Sequence, residues 1–177
     1  MVSTLTLSAR AKRVRLILLD VDGVLTDGTV MMHGDGTESK AFHIRDGAAI
    51  VWAMQAGIPV GLLSARTSST TIQRATQLGI RIVSQGMGSK SAEFGRLLAE
   101  HELEADEVAY MGDDLLDLGV LSRVGLAAAP ADAAPEVRAV VHWTSAHCGG
   151  RGAVRELIEV ILGAQDLWPG IVKDLSA

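Results

Sequence analysis

The run Val14-Arg15-Leu16-Ile17-Leu18-Leu19-Asp20-Val21-Asp22-Gly23-Val24-Leu25-Thr26-Asp27-Gly28 passes from a branched apolar segment straight into two aspartates and a glycine turn. Its first part is short and nearly all apolar, the pattern of a strand buried on both faces of a parallel sheet. Asp20 then stands at the strand's carboxyl end. In open α/β sheets ligands collect outside the carboxyl ends of the strands, where loops carry chemistry and helix N-termini carry positive partial charge. Residues two apart on extended chain share a face, so Asp20 and Asp22 can converge on one metal ion or one substrate atom. An Asp-Gly turn with no chemistry is the competing reading.

Outward from this segment, Thr29 to His43 reads as an inserted β-hairpin turning at Gly34-Asp35-Gly36, where positive φ angles are cheap. Asp46-Gly47 opens a helix running through Gln55 and ended by Gly57. Strand and helix then alternate: strands at Ile58–Leu63, Ile80–Val83, Glu107–Met111, Val124–Ala128 and Val140–Trp143, and helices at Ser68–Leu78, Ser89–His101, Leu115–Ser122, Ala133–Arg138 and Ala153–Leu162. This order specifies an α/β, doubly wound parallel sheet with helices on both faces.

A chain of 177 residues fits one domain over 1–177, able to bury about 70% of its unfolded surface. Sixteen basic and 21 acidic residues give a net charge of −5, with no basic stripe for a nucleic acid backbone or an anionic membrane. Ala48 to Leu63 is apolar, but Gln55, Gly57 and Pro59 interrupt it well short of a span of about 20 residues. Met1 to Ser8 has no early basic region, and Arg10, Lys12, Arg13 and Arg15 follow it, an order unlike a secretion signal. The single Cys148 excludes an internal disulfide and points to a reducing cytoplasm; it reads either as a small packed thiol or as a nucleophile.

Further chemistry follows the later strands. Ser64-Ala65-Arg66, Lys90, and Gly112-Asp113-Asp114 with Asp117 all reach the rim where Asp20 and Asp22 stand. A phosphomonoester calls for this set: an in-line nucleophile, a hard cation on the phosphoryl oxygens and a proton for the leaving alkoxide. Mg²⁺ prefers oxygen ligands, which Asp20 and Asp113 offer. Ser64, expected near a helix N-terminus, can donate to a phosphoryl oxygen, and Lys90 can neutralise both phosphate and Asp20. Arg66 and Arg74 lie eight residues apart, about two helical turns, so they read either as a pair facing an anionic sugar acid or as solvated helix arginines.

Asp20 to Gly28, Ser64, Lys90 and Gly112-Asp113-Asp114 with Asp117 resemble the four motifs of the haloacid dehalogenase-like superfamily. With the hairpin in place of a large cap, Lys40-Ala41-Phe42-His43-Ile44-Arg45-Asp46-Gly47 and Gly149-Gly150-Arg151-Gly152-Ala153-Val154-Arg155-Glu156 narrow the resemblance to the 3-deoxy-D-manno-octulosonate 8-phosphate phosphatases, over about residues 13–163. The resemblance implies a Rossmann-like core, Mg²⁺, an aspartyl-phosphate intermediate and a place in lipopolysaccharide sugar synthesis. It implies Asp20 as nucleophile and metal ligand, Asp22 as acid/base with its carbonyl on the metal, and Asp113 as third metal ligand. Ser64 and Lys90 complete the catalytic set, Asp114 and Asp117 support it, and His43, Ile44, Arg45, Asp46, Gly47, Arg66 and Arg74 contact a small sugar acid phosphate. A homotetramer joined through the hairpins is also implied, with the tail, Asp166 to Ala177, as a second intersubunit element or a loose end. Arg66 favours the eight-carbon acid, because related nine-carbon phosphatases tend to be acidic there. Ala65 departs from the glycine often found in the second motif. A nine-carbon sialic-acid-type phosphatase and a silent oligomeric scaffold are the alternatives.

Overall fold

The computed structural model describes residues 5–176; Met1–Thr4 of the amino-terminal stretch and Ala177 of the tail lie outside it. Strand β1 (Leu16–Leu19) is wholly buried, as its branched apolar sequence requires. Strands β4 (Val60–Ser64), β5 (Ile82–Gln85), β6 (Val108–Met111), β7 (Leu126–Ala129) and β8 (Trp143–Thr144) complete a six-stranded sheet in the order β5-β4-β1-β6-β7-β8. All its pairings are parallel. The chain therefore winds outward from β1 through β4 to β5, then returns to its other side with β6. That reversal makes the carboxyl end of β1 the topological switch point, and Asp20 is the next residue.

Alternation along each strand builds a core on either face. Ile17, Leu19, Ala109 and Met111 face one side, covered by α2 (Ile44–Gln55) and α7 (Ala153–Ala164). Leu16, Leu18, Val108 and Tyr110 face the other, covered by α4 (Lys90–His101) and α5 (Leu118–Leu121). Helix α3 (Ser69–Leu78) is capped by the Ser68 hydroxyl, which accepts from the Thr71 N–H, and closed by Gly79 in the left-handed region. Between β7 and β8 lies the short α6 (Pro135–Arg138).

The hairpin is present but slight: β2 (Met31–Met32) and β3 (Glu38–Ser39) pair antiparallel over two residues each. Four expectations need correction. Helix α2 begins at Ile44, two residues ahead of Asp46-Gly47, because His43 keeps extended backbone before it. The expected helix over 115–122 is a 3₁₀ turn at Leu115–Asp117 followed by the four residues of α5. The last strand is Trp143–Thr144 rather than Val140–Trp143, since Val140 and Val141 donate back to the Val137 carbonyl in the turn after α6. Finally, α1 (Leu7–Ala11) and α8 (Trp168–Leu175) add helices at either end. The tail is docked on its own core: Arg155 lies over the Trp52 ring at 4.4 Å and the Trp168 ring at 5.1 Å. No helix among the described residues is long and apolar enough to cross a membrane.

Candidate active site

Four chain segments meet at the switch point around a buried ammonium. Lys90, the first residue of α4, places Nζ 2.7 Å from Asp20 Oδ1 and 2.7 Å from Asp117 Oδ1, and donates to the Tyr110 hydroxyl at 3.3 Å. Tyr110 in turn donates to Asp117 Oδ1 at 2.5 Å. The other oxygen of Asp117 accepts the Asp113 and Asp114 backbone N–H groups at 2.9 and 3.1 Å. Asp117 is thus engaged on both oxygens; it holds Lys90 and the turn after β6 in place.

Asp20 and Asp113 are differently placed. Asp113 Oδ1 is buried with no hydrogen-bond partner, and one oxygen each of Asp113, Asp20 and Asp117 lie within 4.8 Å of one another. Burial, reinforced by Asp20 and then Asp117, pushes the Asp113 carboxyl up to about 8. Burial and Asp117 push Asp20 up to about 6 against the pull of Lys90. Burial alone would lower Lys90, but Asp20 and Asp117 outweigh it and raise it. Two crowded carboxylates beside an unpartnered oxygen are what a hard divalent cation relieves. Gly23 makes the approach possible: its φ is +98°, and a Cβ there would stand 2.1 Å from Asp113 Oδ2.

Asp22 lies one turn further on, with Oδ1 2.7 Å from Lys40 Nζ. Asp20, Asp22, Ser64, Arg66, Lys90 and Asp113 share the walls of one cavity of about 190 Å³. Ser64 is the last residue of β4 and not part of a helix N-terminus, since α3 is capped only at Ser68; its hydroxyl donates to the Arg66 carbonyl at 3.2 Å. Asp114 is exposed and caps the 3₁₀ turn through the Leu115 N–H.

The two arginines do not share a helix. Arg66 precedes α3 and pairs with Glu38 of the hairpin at 2.9 Å, whereas Arg74, inside α3, lies over the Phe42 ring at 5.6 Å. They bracket the segment between hairpin and α2 from two sides. A Cβ on Gly47 would stand 2.3 Å from an Arg74 nitrogen, so any larger residue there would push the guanidinium aside.

Asp46 lies outside the walls of the cavity that Asp20 and Asp22 share. It is 1% exposed, and its two oxygens accept the Gly152 and Arg155 N–H groups at 3.2 and 2.8 Å. It therefore caps α7 from a neighbouring helix, each oxygen already accepting one backbone N–H. His43 and Arg45 line a separate cavity of about 510 Å³ beside His147, Arg151 and Arg155, and the Ile44 side chain is 75% exposed. The late glycine segment braces the first motif, with Gly150 donating to the Val24 carbonyl at 2.9 Å. Cys148 is exposed and free, outside this cluster.

Three residues of the site escaped the reading of the sequence: Tyr110, Glu38 and Lys40. Tyr110 was legible in principle as the one tyrosine of the chain, on the alternation of β6. Glu38 and Lys40 sit two apart at the end of the hairpin, which puts both on one face.

Residues 62–157 match the model of the haloacid dehalogenase-like hydrolases. A 3-deoxy-D-manno-octulosonate 8-phosphate phosphatase of Yersinia pestis is 42% identical over 161 residues, covering 91% of this chain and 86% of that protein. One of Escherichia coli K12 is 41% identical over 89% of this chain and 84% of its own. A Moraxella catarrhalis phosphatase of the same description, solved with magnesium, phosphate and the sugar acid, superposes with a TM-score of 0.93 at 34% identity, covering 96% of this chain and 97% of that one. The chain belongs to the haloacid dehalogenase-like hydrolases, within the family of 3-deoxy-D-manno-octulosonate 8-phosphate phosphatases.

Proposed function

We propose that the protein is a Mg²⁺-dependent phosphatase that hydrolyses 3-deoxy-D-manno-octulosonate 8-phosphate to the free sugar acid and phosphate, in lipopolysaccharide sugar synthesis. One observation carries the chemistry: Asp20 stands at the sheet's switch point against Lys90 at 2.7 Å, beside the unpartnered Asp113 Oδ1. The substrate rests on the likeness to relatives so described.

Asp20 attacks phosphorus in line. As the new O–P bond forms, the bond to the sugar oxygen breaks, its electron pair stays on that oxygen, and Asp22 supplies the proton. Water then attacks the aspartyl phosphate and gives its proton to Asp22; the Asp20–phosphorus bond breaks and phosphate leaves. Lys90 keeps Asp20 available as an anion, and the Ser64 hydroxyl turns from the Arg66 carbonyl to a phosphoryl oxygen. Tyr110 and Asp117 anchor Lys90. A bound Mg²⁺, held by the Asp20 and Asp113 carboxylates and the Asp22 carbonyl, neutralises charge on the transferring phosphoryl group. Arg66, half exposed at the rim, offers a guanidinium to the sugar acid, and Arg74 supports the segment Phe42 to Gly47.

One unit spanning the chain is supported by the continuous six-stranded sheet. A homotetramer closing its sites through the hairpins is supported by the exposure of Met31 and Met32, at 63% and 66%. The free thiol of Cys148 suits a cytoplasmic setting.

The test is a phosphate-release panel of sugar acid phosphates with and without Mg²⁺. Turnover of the eight-carbon ester is expected to need the cation and to fall at least about a thousandfold in Asp20→Asn. Full activity in that variant refutes the nucleophile; preference for a nine-carbon ester refutes the substrate.

A further inference from the structure

Lys40 is the one residue of the hairpin region whose ammonium enters the site. Its side chain is 0% exposed, with Nζ 2.7 Å from Asp22 Oδ1, 3.4 Å from Thr71 Oγ1 and 3.9 Å from Glu38 Oε1. A buried ammonium is retained only against strong partners. Glu38 is the weaker of its two carboxylates: Oε1 already accepts the Ser68 hydroxyl at 2.5 Å, and Oε2 takes Arg66 at 2.9 Å. Lys90, the other buried ammonium at the site, is engaged by Asp20 and Asp117. Lys40 is therefore the cation committed to Asp22. Both Asp22 oxygens are buried and neither makes a hydrogen bond of regular geometry; the Lys40 ammonium meets the carboxylate as an ion pair, closest at Oδ1.

We propose that Lys40 is a positioning residue for Asp22: by fixing Oδ1 it stops the carboxyl from rotating and leaves Oδ2 as the atom that exchanges the proton. This rests on the phosphatase reading above and adds to it a role for the hairpin. As the Asp20–phosphorus bond forms and the phosphorus–oxygen bond of the ester breaks, the leaving oxygen keeps the electron pair and takes its proton from Asp22 Oδ2. With Oδ1 anchored, that transfer needs no search over carboxyl rotamers.

The dependence on leaving group separates this role from a purely structural one. A primary alkoxide needs a proton as it departs; p-nitrophenolate does not. Lys40→Met is expected to lower kcat/KM for the sugar acid phosphate on the order of tenfold or more beyond its effect on p-nitrophenyl phosphate, since a positioned acid contributes about 10²–10⁴-fold. In an Asp22→Asn background the same change is expected to leave the alkyl-to-aryl ratio where Asp22→Asn has set it. Equal falls on both esters, or a further shift of the ratio in the Asp22→Asn background, overturn the proposal. If Lys40→Met does not fold, Lys40→Gln, a shorter neutral side chain that keeps a polar end, is read in its place. Failure of the unsubstituted protein on every phosphate ester refutes the phosphatase itself; an active enzyme with an unmoved ratio refutes only Lys40. Any alkyl phosphate the enzyme turns over serves if the eight-carbon ester is not its substrate.

Discussion

Lys90 and Lys40 each bring an ammonium to 2.7 Å from an active-site aspartate, yet they arrive from opposite kinds of structure. Lys90 opens a twelve-residue helix laid on the six-stranded sheet, and its partners Asp20, Tyr110 and Asp117 stand on or beside β1 and β6. Lys40 leaves a hairpin whose strands pair over two residues each and whose Met31 and Met32 project from the fold. The proposed nucleophile is thus held by the frame, while the proposed acid/base depends on the insert. A small insert in place of a cap can still reach the reacting atoms, provided that its end residues are fastened. Glu38 provides the fastening, through Arg66, Ser68 and the Thr70 hydroxyl on its carbonyl.

The harshest way to break this contrast is Lys90→Met. The change leaves Asp20 and Asp117 buried without their cation, and removing one partner of a buried pair costs about 3–5 kcal/mol. Urea unfolding is expected to show a loss of that size, together with loss of phosphate release. A loss below about 1 kcal/mol would mean that Lys90 is no more tied to the frame than a surface ion pair.

The same division governs what the sequence disclosed. Asp20, Ser64, Lys90, Asp113 and Asp117 were legible because each follows a strand that the apolar pattern marks, and a parallel sheet gathers strand ends at one rim. Lys40 and Glu38 follow no such strand; nothing local tells that their hairpin folds back on Ser68 and Thr71. The capping role of Asp46 was hidden for a related reason. Its partners, the Gly152 and Arg155 N–H groups, lie 106 and 109 residues away, so the helix that it caps is invisible from its neighbours. The spacing of Arg66 and Arg74 suggested one helical face, although Ser68 already marked the start of the helix between them, where the structure has its cap. The terminal helices eluded the pattern too, because α1 is five residues long and α8 is fastened by Trp168 stacking on Arg155 rather than by its own periodicity.

A gentler test acts on the carboxylates of the frame. Asp113 and Asp20 are raised to about 8 and about 6, whereas an ordinary aspartate titrates at 3.8. Between these values the metal-free folded protein holds protons that the unfolded chain has released, so its stability falls as pH rises from about 4 to about 8. Mg²⁺ binds the deprotonated carboxylates, and its stabilising effect grows over the same window. At a hundredfold excess over Kd it contributes about 2.7 kcal/mol. Melting curves at pH 5.5, 7 and 8.5, with and without Mg²⁺, are expected to diverge upward in pH. Parallel curves would mean that Asp20 and Asp113 do not share a cation.

The smallest effect on folding belongs to the insert. Met31 and Met32 are 63% and 66% exposed, so replacing both by serine removes little buried surface. The expected change in unfolding free energy is within about 0.5 kcal/mol. Yet adjacent exposed methionines on a projecting hairpin suit an apolar contact between copies, and in a symmetric oligomer every copy loses that contact at once. Sedimentation of the double variant is therefore expected to show smaller species at unchanged monomer stability. If the hairpins also hold one another in place, the alkyl-to-aryl ratio falls along with the assembly, because Lys40 leaves the same hairpin two residues after Glu38. A variant that dissociates and keeps its ratio locates the fastening of Lys40 entirely within one subunit, in Glu38 and its contacts to Arg66, Ser68 and Thr70.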